Sequence, residues 1–125
     1  MNGLLDTSVL IDLVPAELPD DVSISVVSTA ELRLGVLLAR DAASRAARLA
    51  RVTEVERLFD PLPVDEDVAG AYADIVASAR ERGKRPRAMD ALIAATALAH
   101  GLMLYTRDRD FQDLPRVQVK LLPRT

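Results

Sequence analysis

The stretch from Ala88 to Ala99 (AMDALIAATALA) is apolar on every side apart from Asp90 and Thr96. A helix with that pattern has no face to offer water, so the spacing predicts one buried all round. Its surroundings fit such a burial. Short apolar or β-branched runs alternate with helical stretches along the whole chain. Leu4 and Leu5 end a first strand at Asp6, and Ser8 is placed to cap a helix that runs to about Val14, where Pro15 stops it. Residues 15–21 (PAELPDD) are a loop by composition. Val22 to Val27 (VSISVV) reads as a second strand. Ser28 then opens S-T-A-E, a capping box with Glu31 at the third helical position, and the helix continues to about Arg40. Asp41 starts another helix, through Phe59, with Arg45, Arg48 and Arg51 along a solvated side.

Asp60 to Val64 is a short extended piece. Asp65, Glu66 and Asp67 then stand where a helix dipole favours acids, at the start of a helix that runs to about Arg82 and ends at Gly83. After the buried helix, Leu102 to Thr106 (LMLYT) is a strand. Residues 107–114 are a polar turn or short helix, and Gln118 to Leu122 is a last strand. Strands separated by helices imply βαβ units. The expected fold is α/β: one domain over residues 1–125, with a central, mostly parallel sheet of four to five strands and helices on both faces. In such sheets the functional crevice lies beyond the carboxyl ends of the strands.

That edge collects acids. Asp6 ends the first strand, Glu31 lies a turn beyond the second, and Asp108 and Asp110 follow LMLYT. Asp90 sits in the first turn of the otherwise apolar helix. The dipole there is worth roughly 0.3–1 kcal/mol to an acid, while burying a carboxylate without a partner costs far more. A structural role therefore explains Asp90 poorly. Carboxylates crowded into one crevice repel unless some are protonated or a cation is bound. All-oxygen ligands suit Mg²⁺ or Mn²⁺. Two such ions roughly 3.5–4 Å apart can activate a water and stabilise the leaving oxygen of a phosphodiester.

The chemistry the chain lacks points the same way. Cysteine is absent, which excludes disulfides, thiol catalysis and Cys-ligated zinc and fits a reducing, cytoplasmic setting. The one histidine, His100, precedes Gly101 in a helix-capping arrangement, so mechanisms needing two imidazoles are excluded. No run of 18 uncharged apolar residues and no basic-then-apolar start is present, so neither a membrane span nor a signal peptide is expected. The net charge of −3 argues against indiscriminate nucleic-acid binding. Positive charge is nonetheless concentrated at Arg80, Arg82, Lys84, Arg85 and Arg87. The helix C-terminus accounts for the first two; Lys84, Arg85 and Arg87 are candidate contacts to the phosphates of a nucleic acid. With only Phe59, Tyr72, Tyr105 and Phe111 as aromatics, no base-stacking platform is available, and both tyrosines read as core.

LLDTSVLIDL, VSTAELRLG, MDALIAATAL and LYTRDRDF, in that order and spacing, resemble the PIN-domain family, and within it the VapC-type toxins of bacterial type II toxin–antitoxin pairs. The resemblance spans Leu4 to Phe111. It implies a Mg²⁺- or Mn²⁺-dependent endoribonuclease, homodimeric and held inactive by a cognate antitoxin. Asp6, Glu31 and Asp90 match the family's first three acidic positions as catalytic metal ligands. Asp108 and Asp110 both fit the fourth, with Asp108 favoured as the ligand and Asp110 in support. Thr106, Thr7 and Ser8 match polar positions that orient ligands or water. Two other readings fare worse. A receiver domain or aspartyl-phosphate phosphatase needs adjacent acids, or a second Asp at position 8, where Ser8 stands. A non-catalytic interaction module gives no reason for a buried Asp90.

Overall fold

The computed structural model describes residues 2–124. Four strands form one sheet in the order β2-β1-β3-β4, and every pairing is parallel. They are β1 (Gly3–Leu5), β2 (Val22–Ile24), β3 (Met103–Thr106) and β4 (Val119–Leu121). The helices are α1 (Thr7–Ile11), α2 (Val26–Leu37), α3 (Ala42–Leu58), α4 (Glu66–Glu81) and α5 (Ala88–Ala99). Neighbouring side chains of a strand face opposite ways, and the core divides accordingly. Leu4 and Leu104 join Val68, Ile75 and Ile93 of α4 and α5 on one face. Leu5 and Ile24 join Val9, Leu32, Val52 and Val55 of α1, α2 and α3 on the other. Fully burying a side chain such as Ile75, Ile93 or Leu104 contributes roughly 1.5–3 kcal/mol.

Helix α5 spans the predicted residues. Asp90, Ala91 and Ile93 through Ala97 are buried, and exposure is confined to its ends. Its partner α4 closes at Gly83, whose φ of 74° suits a residue without Cβ and lets the Lys84 amide donate back to the Ala79 carbonyl.

Several predicted boundaries are corrected. Asp6, not Ser8, caps α1, its carboxylate accepting from the Val9 amide, and the helix ends at Ile11 rather than Val14. Strand β2 stops at Ile24, so Val26 and Val27 are helical despite their β-branching. The cause is tertiary: the Val26 amide donates to the Leu62 carbonyl and the Leu62 amide to the Ile24 carbonyl, which ends the strand, and Ser25 caps α2 by accepting from the Val27 amide. The capping box proposed at Ser28 therefore does not form, and Glu31 lies in the second turn instead of the first. The last strand covers Val119–Leu121 only.

Candidate active site

The carboxyl ends of β1 and β3 lie side by side, and the site grows from that adjacency. Asp6 follows β1 directly and is 3% exposed. Its Oδ1 accepts from the Ser8 hydroxyl at 2.6 Å and its Oδ2 from the Thr106 hydroxyl at 2.7 Å. Each hydroxyl in turn accepts from a backbone amide of the segment after β3: Ser8 from Arg107 at 2.9 Å, Thr106 from Asp108 at 2.9 Å. Both Asp6 oxygens are thereby fixed by groups that have no freedom left. Burial raises the Asp6 pKa above the ordinary aspartate value. The Ser8, Thr106 and Val9 hydrogen bonds work against that shift, and the charge of Asp108 adds to it.

Glu31 reaches the same edge from α2. Its Oε1 accepts from the Thr7 hydroxyl at 2.6 Å, with the buried Ser28 hydroxyl 3.1 Å from that of Thr7. Asp108 is half-buried and caps the turn Arg109–Asp113 by accepting from the Asp110 amide at 2.9 Å. Asp110 is exposed and lines a cleft of about 170 Å³ together with Lys84, Arg85, Arg87 and Asp90.

On the sequence alone Asp90 is a buried carboxylate without a partner, and the structure supplies one. Its carboxylate is buried but not unpartnered. Arg87, one turn before it, donates Nε to Oδ2 at 3.0 Å and Nη2 to Oδ1 at 2.9 Å, a two-pronged pair. The Arg87 pKa is raised, first by its hydrogen bonds with Asp90, then by that charge, with further contributions from the charges of Glu31 and Asp108. Of the three acids only Asp90 is in contact with this guanidinium.

The structure brings Asp6, Glu31, Asp90 and Asp108 to one end of the sheet, from four separate segments. In kind, the donors suit a hard divalent cation, since every one is a carboxylate oxygen. In position they do not close on one point: among the described residues no three acidic or histidine side chains converge tightly enough to hold a metal. Asp90 is turned to Arg87, Glu31 to Thr7.

One residue that sequence reasoning passed over is Arg107. It falls in a polar run that reads as a solvated turn, yet it is 5% exposed. Its guanidinium donates to the backbone carbonyls of Asp12 and Pro123 and to Glu17 Oε1, at 2.6–2.8 Å. It ties the loop after α1 and the segment after β4 to the backbone that supports Ser8. Nothing local marks it, because its partners are 16 to 95 residues away.

A family model described as the PIN domain matches residues 3–117, so the chain belongs to the PIN-domain family. Among characterised relatives, ribonuclease VapC4 of Mycobacterium tuberculosis is 39% identical over 124 residues, spanning 94% of this chain and 95% of the relative. Ribonuclease VapC5 of the same organism is 42% identical over 118 residues, 90% and 87% of the two chains. The crystal structure of VapBC-5 from M. tuberculosis, a member of the VapBC family of toxin–antitoxin systems, superposes with a TM-score of 0.88 at 40% identity and 98% coverage of both chains.

Proposed function

We propose that this chain, as a single nuclease domain over residues 1–125, is a divalent-metal-dependent endoribonuclease toxin of the VapC type. It acts in the cytoplasm as a homodimer and is neutralised by a cognate antitoxin. The observation that carries the reading is the gathering of Asp6, Glu31, Asp90 and Asp108 at the carboxyl edge of one parallel sheet, three of them close enough to bias the charge of Arg87. Asp6, Glu31, Asp90 and Asp108 are the ligands we assign to Mg²⁺ or Mn²⁺, with Asp110 in support. When bound, the metal would polarise a phosphodiester and activate a water.

The remaining work falls to the chain's own side chains. Ser8, Thr106 and the Val9 amide hold the Asp6 carboxylate still, and Thr7 steers Glu31, so the acids are oriented before substrate arrives. Lys84 and Arg85, exposed on the wall of the Asp90 cleft, supply positive charge to the RNA backbone. The antitoxin reading has its own support. Leu34, Leu37 and Leu38 are 53–72% exposed on and just after the end of α2, an apolar landing that leads back along that helix to Glu31. A segment laid there would reach the acids with an Arg or Lys, whose charge substitutes for that of the metal. Among the described residues no helix is long and apolar enough to cross a membrane.

The test is cleavage of labelled RNA by purified protein with Mn²⁺, with EDTA, and by Asp6→Asn. Cleavage that needs metal and vanishes in the variant is expected. Cleavage indifferent to EDTA, or undiminished in Asp6→Asn, would refute the assignment. Sequencing of RNA ends after controlled expression would then identify the target.

A further inference from the structure

The pairing of Arg87 with Asp90 asks for an explanation that helix stability does not provide. Arg87 occupies the N-cap position of α5 and makes no side-chain capping bond. Positive charge at a helix N-terminus opposes the dipole, whereas Asp90 three residues on is favoured by it without help. Arg87 therefore stands where its own helix repels it, and what holds it is the acidic crevice. The pair is also lopsided. The Asp90 side chain is 9% exposed and that of Arg87 71%. One partner is embedded in the site while the other remains open to solvent and to any anion that approaches. Lys84 and Arg85 line the same cleft, so a phosphate chain lying along it meets Arg87 in passing.

From this geometry we infer that Arg87 is an exchangeable counterion that couples RNA to metal: it occupies both oxygens of Asp90 until a phosphate draws its guanidinium away, and the freed carboxylate then completes the cation site. Both engagements need the same two-pronged donor face, because carboxylate and phosphate are alternative acceptors for one guanidinium. A cation and Arg87 compete for the same Asp90 oxygens, so each weakens the other. Phosphate relieves the competition, which makes RNA and metal mutually reinforcing, by the same factor in either direction. Only the Arg87 side of the pair is open, at 71% exposed, so its guanidinium can swing out to solvent or phosphate without moving the buried Asp90. The inference rests on the metal-nuclease reading above and adds the reason why the acids of this structure do not already converge.

The experiment measures Mn²⁺ binding by loss of the free-ion electron paramagnetic resonance signal, which needs no turnover. Wild type, Arg87→Gln and Arg87→Lys are compared with and without a short 2′-O-methyl oligonucleotide, whose integrity is verified afterwards. In wild type the oligonucleotide should raise Mn²⁺ affinity by about five-fold or more. Arg87→Gln should bind Mn²⁺ several-fold more tightly than wild type in the absence of oligonucleotide, and adding it should change little. Arg87→Lys keeps the charge but loses the fork, and should fall between. A Lys84→Gln/Arg85→Gln pair removes two charges of the same cleft but no hydrogen bond to Asp90, so it should raise Mn²⁺ affinity without oligonucleotide less than Arg87→Gln does; an equal or larger gain would reduce the effect to net charge and overturn the role of Arg87. If Arg87→Gln binds Mn²⁺ no better than wild type, while Asp6→Asn abolishes binding, the counterion role is overturned and the nuclease reading stands. If wild type and Arg87→Gln both fail to bind Mn²⁺, the metal reading fails and the inference falls with it.

Discussion

Replacing Arg107 by methionine tests how the site is supported from behind. Methionine keeps the apolar stem of the side chain but is shorter and donates nothing. The change strips donors from the carbonyls of Asp12 and Pro123 and leaves Glu17, 26% exposed, without its cation. Removing one partner of a buried ion pair costs roughly 3–5 kcal/mol. Glu17 can recover part of its hydration, so the lower end, about 3 kcal/mol, applies. At about 2.1 cal/mol/K of unfolding entropy per residue, a chain of 125 residues loses about 4 °C of Tm per kcal/mol, so the variant should melt about 11 °C below wild type. Thermal melts by circular dichroism read this directly. Arg107→Lys, whose single ammonium cannot reach all three oxygens at once, should lie between the two. Adding Glu17→Gln to the methionine variant should cost much less than Glu17→Gln costs wild type, because the two residues share one interaction. A methionine variant melting within about 2 °C of wild type, or strict additivity in that cycle, would refute the clamp.

Asp6→Asn should raise Tm by a few degrees at pH 7 while abolishing cleavage, since burial outweighs the hydrogen bonds that favour the charged form. The sign with pH follows: a raised pKa means that protonation favours the folded state, so Asp6 contributes least to stability above its folded pKa. The advantage of the variant should therefore shrink as pH falls toward 3.8, and melts across that range check it. Asp90→Asn should not share the gain, because the Arg87 pair already offsets the buried charge; a Tm rise equal to that of Asp6→Asn would contradict the pairing. Replacing Lys84, Arg85 and Arg87 together by alanine should weaken RNA binding and reduce its salt slope by roughly one for each phosphate no longer neutralised, measured by titration at several salt concentrations. Gly3→Ala should cost roughly 1–3 kcal/mol in a denaturant titration, since a Cβ there would lie 2.6 Å from the Tyr105 ring.

The parts of this protein that were legible in its sequence are those whose cause is local. Helix α5 was readable to the residue because an all-apolar stretch has one solution, and α3 and α4 because Asp41 and Asp65 cap the helices that follow them. Asp6, Asp90 and Asp108 were readable because each is placed by a strand end or a helix start, and parallel strands separated by helices carry such positions to one edge; Glu31 was found as an acid beyond the second strand but placed a turn too early on its helix. What the sequence could not settle depends on partners distant along the chain. Whether VSISVV is all strand or half helix was decided at Leu62, whose backbone bonds to Ile24 and Val26 and leaves Ser25 as the cap. Asp90 and Arg87 are three residues apart and visibly able to pair, but a fully solvated rotamer was equally open to Arg87 until burial of Asp90 left that carboxylate in need of a partner. Arg107 became a buried clamp only when the segments holding Asp12, Glu17 and Pro123 met around it. Backbone periodicity and capping act within a turn or two. The electrostatics of a crevice exist only after its walls have come together, and that step belongs to the tertiary structure.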